Sequence, residues 1–191
     1  AGEGTIRSAK LSYQGEEVDL CLCRTKAHFS QEGTTRVLTL DPVTIEFADL
    51  SLTLQTREYF EEGSGSIKIE RTVLEMSNPK AQVELNEYMV ACYGTTEYPE
   101  DMTGITLTCE GAETKTIAYE YRCREESLNG ASAVSAVIPA IETKVSMTAS
   151  AEANGYIREG YAFSPMFTLG YKKNIRDKEM FATWLNLEKA N

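Results

Sequence analysis

The sequence predicts a mainly β protein, an antiparallel β-sandwich or partly closed barrel with one internal helix and one C-terminal helix. Three observations carry this. Apolar and polar residues alternate with period two along most of the chain, as at Leu50, Leu52 and Leu54 opposite Ser51, Thr53 and Gln55, the mark of a strand with one dry face. Turn-forming pairs such as Asp41-Pro42, Glu110-Gly111, Asn129-Gly130 and Asn154-Gly155 punctuate these runs at short intervals. Apolar spacing turns helical in only two places, residues 77–94 and 176–189.

Residues 5–13 and 18–24 alternate around Gln14-Gly15-Glu16-Glu17 and predict a hairpin, with Cys21 and Cys23 on one strand face. His28 and Phe29 close this segment before a turn at 30–34; strand pattern resumes at Arg36 and runs, past Asp41-Pro42, to Leu54. Residues 61–66, Glu61, Glu62, Gly63, Ser64, Gly65 and Ser66, have the most flexible composition in the chain and predict a protruding hairpin arm between two strands. The internal helix follows. Asn78 suits its N-cap, Pro79 its first turn and Gly94 its left-handed stop, with Ala81, Leu85, Tyr88, Met89 and Cys92 as the apolar stripe.

Beyond an acidic loop at 98–101, Ile105, Leu107 and Cys109 alternate, and Ile117, Tyr119, Tyr121 and Cys123 share the buried face of the next strand. Val145 and Met147 point inward from a strand at 143–149, and Asn154-Gly155 suits a type I′ turn. Residues 161–163 and 166–171 predict the last strand pair or a bent strand, interrupted at Ser164-Pro165. Met180, Phe181, Trp184, Leu185 and Leu187 then make the apolar face of a C-terminal helix at 176–189, anchored by Trp184. The whole chain, 1–191, reads as one β-rich domain of roughly nine to eleven strands.

Composition narrows the function. A net charge of −10 argues against sequence-specific nucleic-acid binding, and no apolar run reaches the length of about 18–20 residues that spans a bilayer. The acidic pairs Glu16-Glu17, Glu61-Glu62 and Glu125-Glu126 fall beside turns and read as solvated loop tips. Five cysteines are a poor disulfide framework and predict buried free thiols, Cys109 and Cys123 among them, with two bridges and one spare thiol as the alternative. Ala1 fits either removal of an initiator methionine or cleavage of a secretory signal.

The chemistry-bearing patterns are sparse. With one histidine, His28, no multi-histidine metal centre can be built, and no nucleophile elbow accompanies it. Cys-Leu-Cys at 21–23 is not a redox or zinc spacing, and Gly63-Ser64-Gly65-Ser66 lacks the ending of a phosphate loop. The basic run Lys172, Lys173, Arg176 and Lys178 reads as the solvated start of the last helix. The expectation is therefore a non-catalytic protein without cofactor or metal, a structural subunit that assembles with copies of itself through the 61–66 arm, in a virion or the cytoplasm. Phage tail-tube subunits share this order of β body, intervening helix and hairpin arm, by analogy of fold only. The alternative is a secreted β-sandwich module that binds a carbohydrate or protein ligand.

Overall fold

The computed structural model describes residues 4–92, 104–160 and 166–190. Fifteen strands run through them: β1 (Gly4–Tyr13), β2 (Glu16–Asp19), β3 (Ala27–Glu32), β4 (Thr35–Glu46), β5 (Ser51–Glu61), β6 (Ser66–Met76), β7 (Val83–Cys92), β8 (Thr106–Glu110), β9 (Thr114–Ala118), β10 (Glu125–Asn129), β11 (Ala133–Ile138), β12 (Thr143–Ala149), β13 (Asn154–Glu159), β14 (Met166–Ile175) and β15 (Met180–Lys189). They form two antiparallel sheets. One has six strands in the order β10-β13-β14-β7-β1-β2, the other nine in the order β3-β4-β5-β6-β15-β12-β11-β8-β9. The sandwich is thus the right half of the sequence expectation, and the sheets do not close into a barrel.

The core lies between the sheets. Ala9 and Leu11 of β1, Leu85 and Met89 of β7 and Leu169 of β14 face it from one side; Leu52 and Leu54 of β5, Val73 of β6, Phe181 of β15 and Met147 of β12 face it from the other. Period two along the strands puts the intervening residues on the outer faces, with register shifts in the β4–β5 and β5–β6 pairings. Among the described residues no helix is long and apolar enough to cross a membrane.

Neither predicted helix exists. Among the described residues the only helical segments are two single 3-10 turns, Leu20–Leu22 and Pro139–Ile141. The expected internal helix is a turn followed by β7. Its cap signals are used in that turn, where the Lys80 N–H donates to Asn78 Oδ1 at 3.1 Å and the Ala81 N–H to the Asn78 carbonyl at 3.0 Å. From Ala81 the buried positions are then 81, 83, 85, 87, 89 and 91, a strict alternation. Glu87 stands in the middle of it, so the apolar residues around the charge imitate a helical stripe. Gly94, expected as the helix stop, the 98–101 loop and Tyr161 to Phe163 lie outside the described residues.

The expected C-terminal helix is β15, in the interior of the nine-stranded sheet between β6 and β12. Phe181 and Leu185 face the core while Ala182 and Trp184 face outward, so both faces carry apolar residues and the period-two signal is blurred. Asp177 ends the preceding turn by accepting the Met76 N–H at 2.7 Å.

Glu87 faces the core because a guanidinium waits for it there. Arg71 of β6, in the other sheet, donates from Nε to Glu87 Oε2 at 2.8 Å, from Nη2 to Oε1 at 3.1 Å and from Nη1 to Thr56 Oγ1 at 2.7 Å. Arg71 is 9% exposed and Glu87 1%. Burial works against the Arg71 charge, but the field and hydrogen bonds of Glu87 outweigh it and hold the guanidinium above its ordinary pKa. A second inter-sheet pair, Arg7 of β1 with Glu58 of β5, lies nearby.

Removing one partner of such a pair strands the other charge in the core. We expect Glu87→Ala to lower the unfolding free energy by about 3–5 kcal/mol in urea titrations, with the double change Arg71→Met, Glu87→Met recovering most of it. A loss in Glu87→Ala below about 1 kcal/mol, the range of an exposed pair, would show that the pair does not hold the sheets together.

Candidate functional site

The outer face of the nine-stranded sheet carries one dense cluster of chemistry. Tyr59 of β5 stands opposite Lys68 of β6, Lys68 opposite Trp184 of β15, and Trp184 opposite Thr148 of β12. One row across four strands therefore presents an aromatic ring, an ammonium, a second aromatic ring and a hydroxyl. Lys68 Nζ lies 4.8 Å from the centre of the Tyr59 ring and 5.8 Å from that of Trp184, within the range of cation–π attraction to both. Two residues along β6, Glu70 accepts from Lys68 Nζ at 2.8 Å and from the Tyr59 hydroxyl at 3.4 Å.

Each member is held by backbone pairing, so the set is rigid without a loop. The side chains of Lys68 and Glu70 remain 30% and 16% exposed, enough to meet a ligand while keeping each other's charge compensated. Two rings with apolar faces, a donor ammonium and an acceptor carboxylate together suit a molecule that is apolar on its faces and hydroxylated at its rim. Period two assigns Tyr59 to the face opposite Leu52 and Leu54, and that much is readable in the sequence. That Lys68 and Trp184 share its row is set by strand register, for which the sequence holds no signal.

Apart from Trp184, the residues singled out from the sequence lie elsewhere. Glu61 ends β5, Glu62 and Gly63 make a tight turn with Gly63 at a φ of 75°, and Ser66 starts β6. The segment closes the β5–β6 hairpin: the Ser64 N–H donates to the Glu61 carbonyl at 3.1 Å, and the Gly65 carbonyl accepts the Leu187 N–H at 2.8 Å. His28 sits on the exposed edge strand β3 with Nε2 2.8 Å from Asp41 Oδ1. The basic run borders a cavity of about 800 Å³ at the end of the six-stranded sheet, where Lys172, Lys173, Arg176 and Lys178 face Glu84, Glu152, Asp177 and Glu179. Positive and negative side chains balance there, and Lys173 pairs with Glu179 at 3.3 Å.

The cysteines divide differently from the expectation. Cys109 is buried, with its thiol 3.6 Å from the Gly155 carbonyl. Cys123 is exposed, because the strand ends at Ala118 and left-handed residues at Tyr121 and Cys123, with φ of 60° and 58°, turn the chain away. Cys21 and Cys23 sit at a 3-10 turn rather than along a strand, the first exposed and the second half-buried. All four of these thiols are free.

No protein-family model and no curated protein matches this sequence. Solved structures do share its fold. A candidate aldose 1-epimerase from Klebsiella pneumoniae superposes with a TM-score of 0.62 at 8% identity, over 97% of this chain and 63% of that one. One from Escherichia coli gives 0.58 at 10% identity, over 94% and 79%. An α-N-acetylgalactosaminidase from Bifidobacterium bifidum, in complex with GalNAc, gives 0.67 at 9% identity, over 96% of this chain and 31% of that enzyme. At such identities the likeness is one of fold.

These findings overturn the expectation of a virion or tail-tube subunit, and with it the reading of the β body as non-catalytic because it lacks motifs. The fold is one that candidate aldose 1-epimerases and a glycosidase use. Of the two expectations, the ligand-binding sandwich agrees with it.

Burial raises the Cys109 thiol from 9.0 to about 11, so it stays protonated and shielded at neutral pH. We expect a small maleimide to modify Cys21 and Cys123 within minutes in the native protein and Cys109 only after unfolding, as read by mass spectrometry of peptides. Because the folded value lies above the unfolded one, the Cys109 contribution to stability is present below pH 9.0 and is lost as pH rises toward about 11. Rapid native labelling of Cys109 would contradict its placement in the core.

Proposed function

We propose that this chain recognises a carbohydrate on the outer face of its nine-stranded sheet, with Tyr59, Lys68, Glu70 and Trp184 as the contact set. The observation that carries the reading is the single row of two aromatic rings flanking a lysine, with a carboxylate hydrogen-bonded beside it. A pyranose ring offers C–H groups on its faces and hydroxyls at its edge. Tyr59 and Trp184 supply flat apolar surface to the first, while Lys68 donates to and Glu70 accepts from the second. The fold shared with candidate aldose 1-epimerases and with a GalNAc-bound glycosidase supports the same ligand class.

A second reading is favoured by the contacts of Glu70. Interconverting the anomers of an aldose requires one group to take the proton of the anomeric hydroxyl and another to give a proton to the ring oxygen. Glu70 is an acceptor for the first role, and Lys68 or Tyr59, each hydrogen-bonded to it, is a donor for the second. Under this reading the chain is an aldose 1-epimerase acting on the sugar that the platform binds.

Trp184 is the only tryptophan, so its emission reports the site directly. Titration with galactose, glucose and N-acetylgalactosamine, followed by a neutral-glycan array, should give a saturable change in emission with at least one sugar. By calorimetry Trp184→Ala should weaken that binding about tenfold, the scale of one lost aromatic contact. No saturable response to any neutral sugar would overturn the proposal. For the reaction, polarimetry of freshly dissolved α-anomer should show a catalysed rate that Glu70→Gln removes without abolishing binding. A wild-type rate equal to that of buffer would reject the epimerase reading and leave recognition standing.

A further inference from the structure

Next to the aromatic row, the same face carries a second row with a different composition. Ser66 of β6 stands opposite Asn186 of β15, Asn186 opposite Ser146 of β12, Ser146 opposite Ser135 of β11, Ser135 opposite Thr108 of β8, and Thr108 opposite Thr116 of β9. Six adjacent strands thus place a hydroxyl or amide side chain in one straight line. All of these side chains are uncharged. Asn186 lies two residues from Trp184 on β15, so the row runs on the same face, about 7 Å from the rings. At roughly 4.8 Å per strand its five steps cover about 24 Å.

The line is also recessed at its centre. Val134, Ala136, Val145 and Met147 belong to the core, which puts Ser135 and Ser146 on the opposite, outer face. Yet those two serines are only 3% and 7% exposed, whereas Asn186 and Thr108 beside them are half-buried and Thr116 at the end is exposed. Two small buried serines between the taller Asn186 and Thr108 make the floor and walls of a shallow trough. Cross-strand pairs of serine and threonine also stabilise sheets. What sheet stability leaves unexplained is that the polar row is unbroken across six strands, is recessed at its centre, and runs beside the aromatic platform.

We infer that the ligand is a linear neutral oligosaccharide, lying across the strands, whose end is gripped by Tyr59 and Trp184 and whose further units lie along the serine, threonine and asparagine trough. This rests on the carbohydrate reading above and goes beyond it in ligand length and charge. The trough is longer than one sugar ring, and its hydroxyls and amide both donate and accept, as the hydroxyls of a glycan do. Charge points the same way. The flanking positions Lys144 and Glu188 stand opposite one another, so this margin adds no net charge, and a chain of net charge −10 repels acidic polymers. A neutral chain of sugars meets neither penalty.

The test is length dependence. Calorimetric affinities would be measured for mono- to hexasaccharides of the cello-, malto-, xylo- and β-1,4-galacto- series with the whole chain. In the series that binds, affinity should rise by about tenfold or more between one and four units, since each added unit gains hydrogen bonds in the trough. Asn186→Ala and the near-isosteric Thr108→Val should flatten that rise while leaving the affinity for the single sugar and the melting temperature unchanged. Trp184→Ala should weaken every member of the series alike. Equal affinity for one and six units, or a length dependence that both trough variants retain, would overturn the inference and leave carbohydrate recognition intact. Failure of all four series and their single sugars to bind would overturn both.

Discussion

A charge cannot be buried alone, and the architecture turns on that constraint. Arg71 and Glu87 project from different sheets into the space between them, at the margin of the apolar core, where each is stable only with the other in place. The geometry of a bidentate contact leaves little freedom in how the sheets are aligned. Arg7 with Glu58 repeats the device beside it. Once β5, β6, β1 and β7 are fixed in this way, period two sets the faces of the residues next to the pairs on each strand. Thr56 and Glu58 point in, so Arg57 and Tyr59 point out; Arg71 points in, so Glu70 and Thr72 point out. The aromatic platform is therefore a consequence of the inward ion pairs.

That consequence carries the functional reading. A sheet face holds its side chains at fixed strand spacing, and the Tyr59, Lys68 and Trp184 row needs no loop closure to assemble. Rigid aromatic surfaces bind with little loss of side-chain freedom, which suits ligands whose individual hydrogen bonds exchange almost evenly with water. The large cavity beside Lys172 and Glu179 is of another kind, with charges that pair among themselves. The outer face offers directed groups, the cavity mainly solvated ones.

Much of the β architecture is legible in the sequence. Leu50, Leu52 and Leu54, or Leu107 and Cys109, announce their strands because nothing charged interrupts them. Where the alternation fails, the cause is specific. Glu87 breaks the pattern of β7 because it serves the inter-sheet pair, and Trp184 breaks that of β15 because it belongs to the outer platform. Both false helices thus arise at residues with a task other than filling the core. The Cys123 error has a different origin, the left-handed backbone at Tyr121 and Cys123, which spacing alone does not report. The Asn154-Gly155 pair, which suits a type I′ turn, instead opens β13 opposite Lys172 and Tyr171. The platform stayed hidden because its members come from three strands whose adjacency depends on register. Ser66 and Ser146 are 80 positions apart in the chain and separated in the sheet by β15 alone.

Locating a bound sugar by amide chemical shifts tests the central claim most directly. In ¹⁵N-labelled protein titrated with a neutral sugar that changes Trp184 emission, the account predicts shifts confined to β5, β6 and β15 around Tyr59, Lys68, Glu70 and Trp184, with the six-stranded sheet silent. Shifts centred instead on Glu84, Lys172 and Glu179, at the cavity end of the six-stranded sheet, would contradict it.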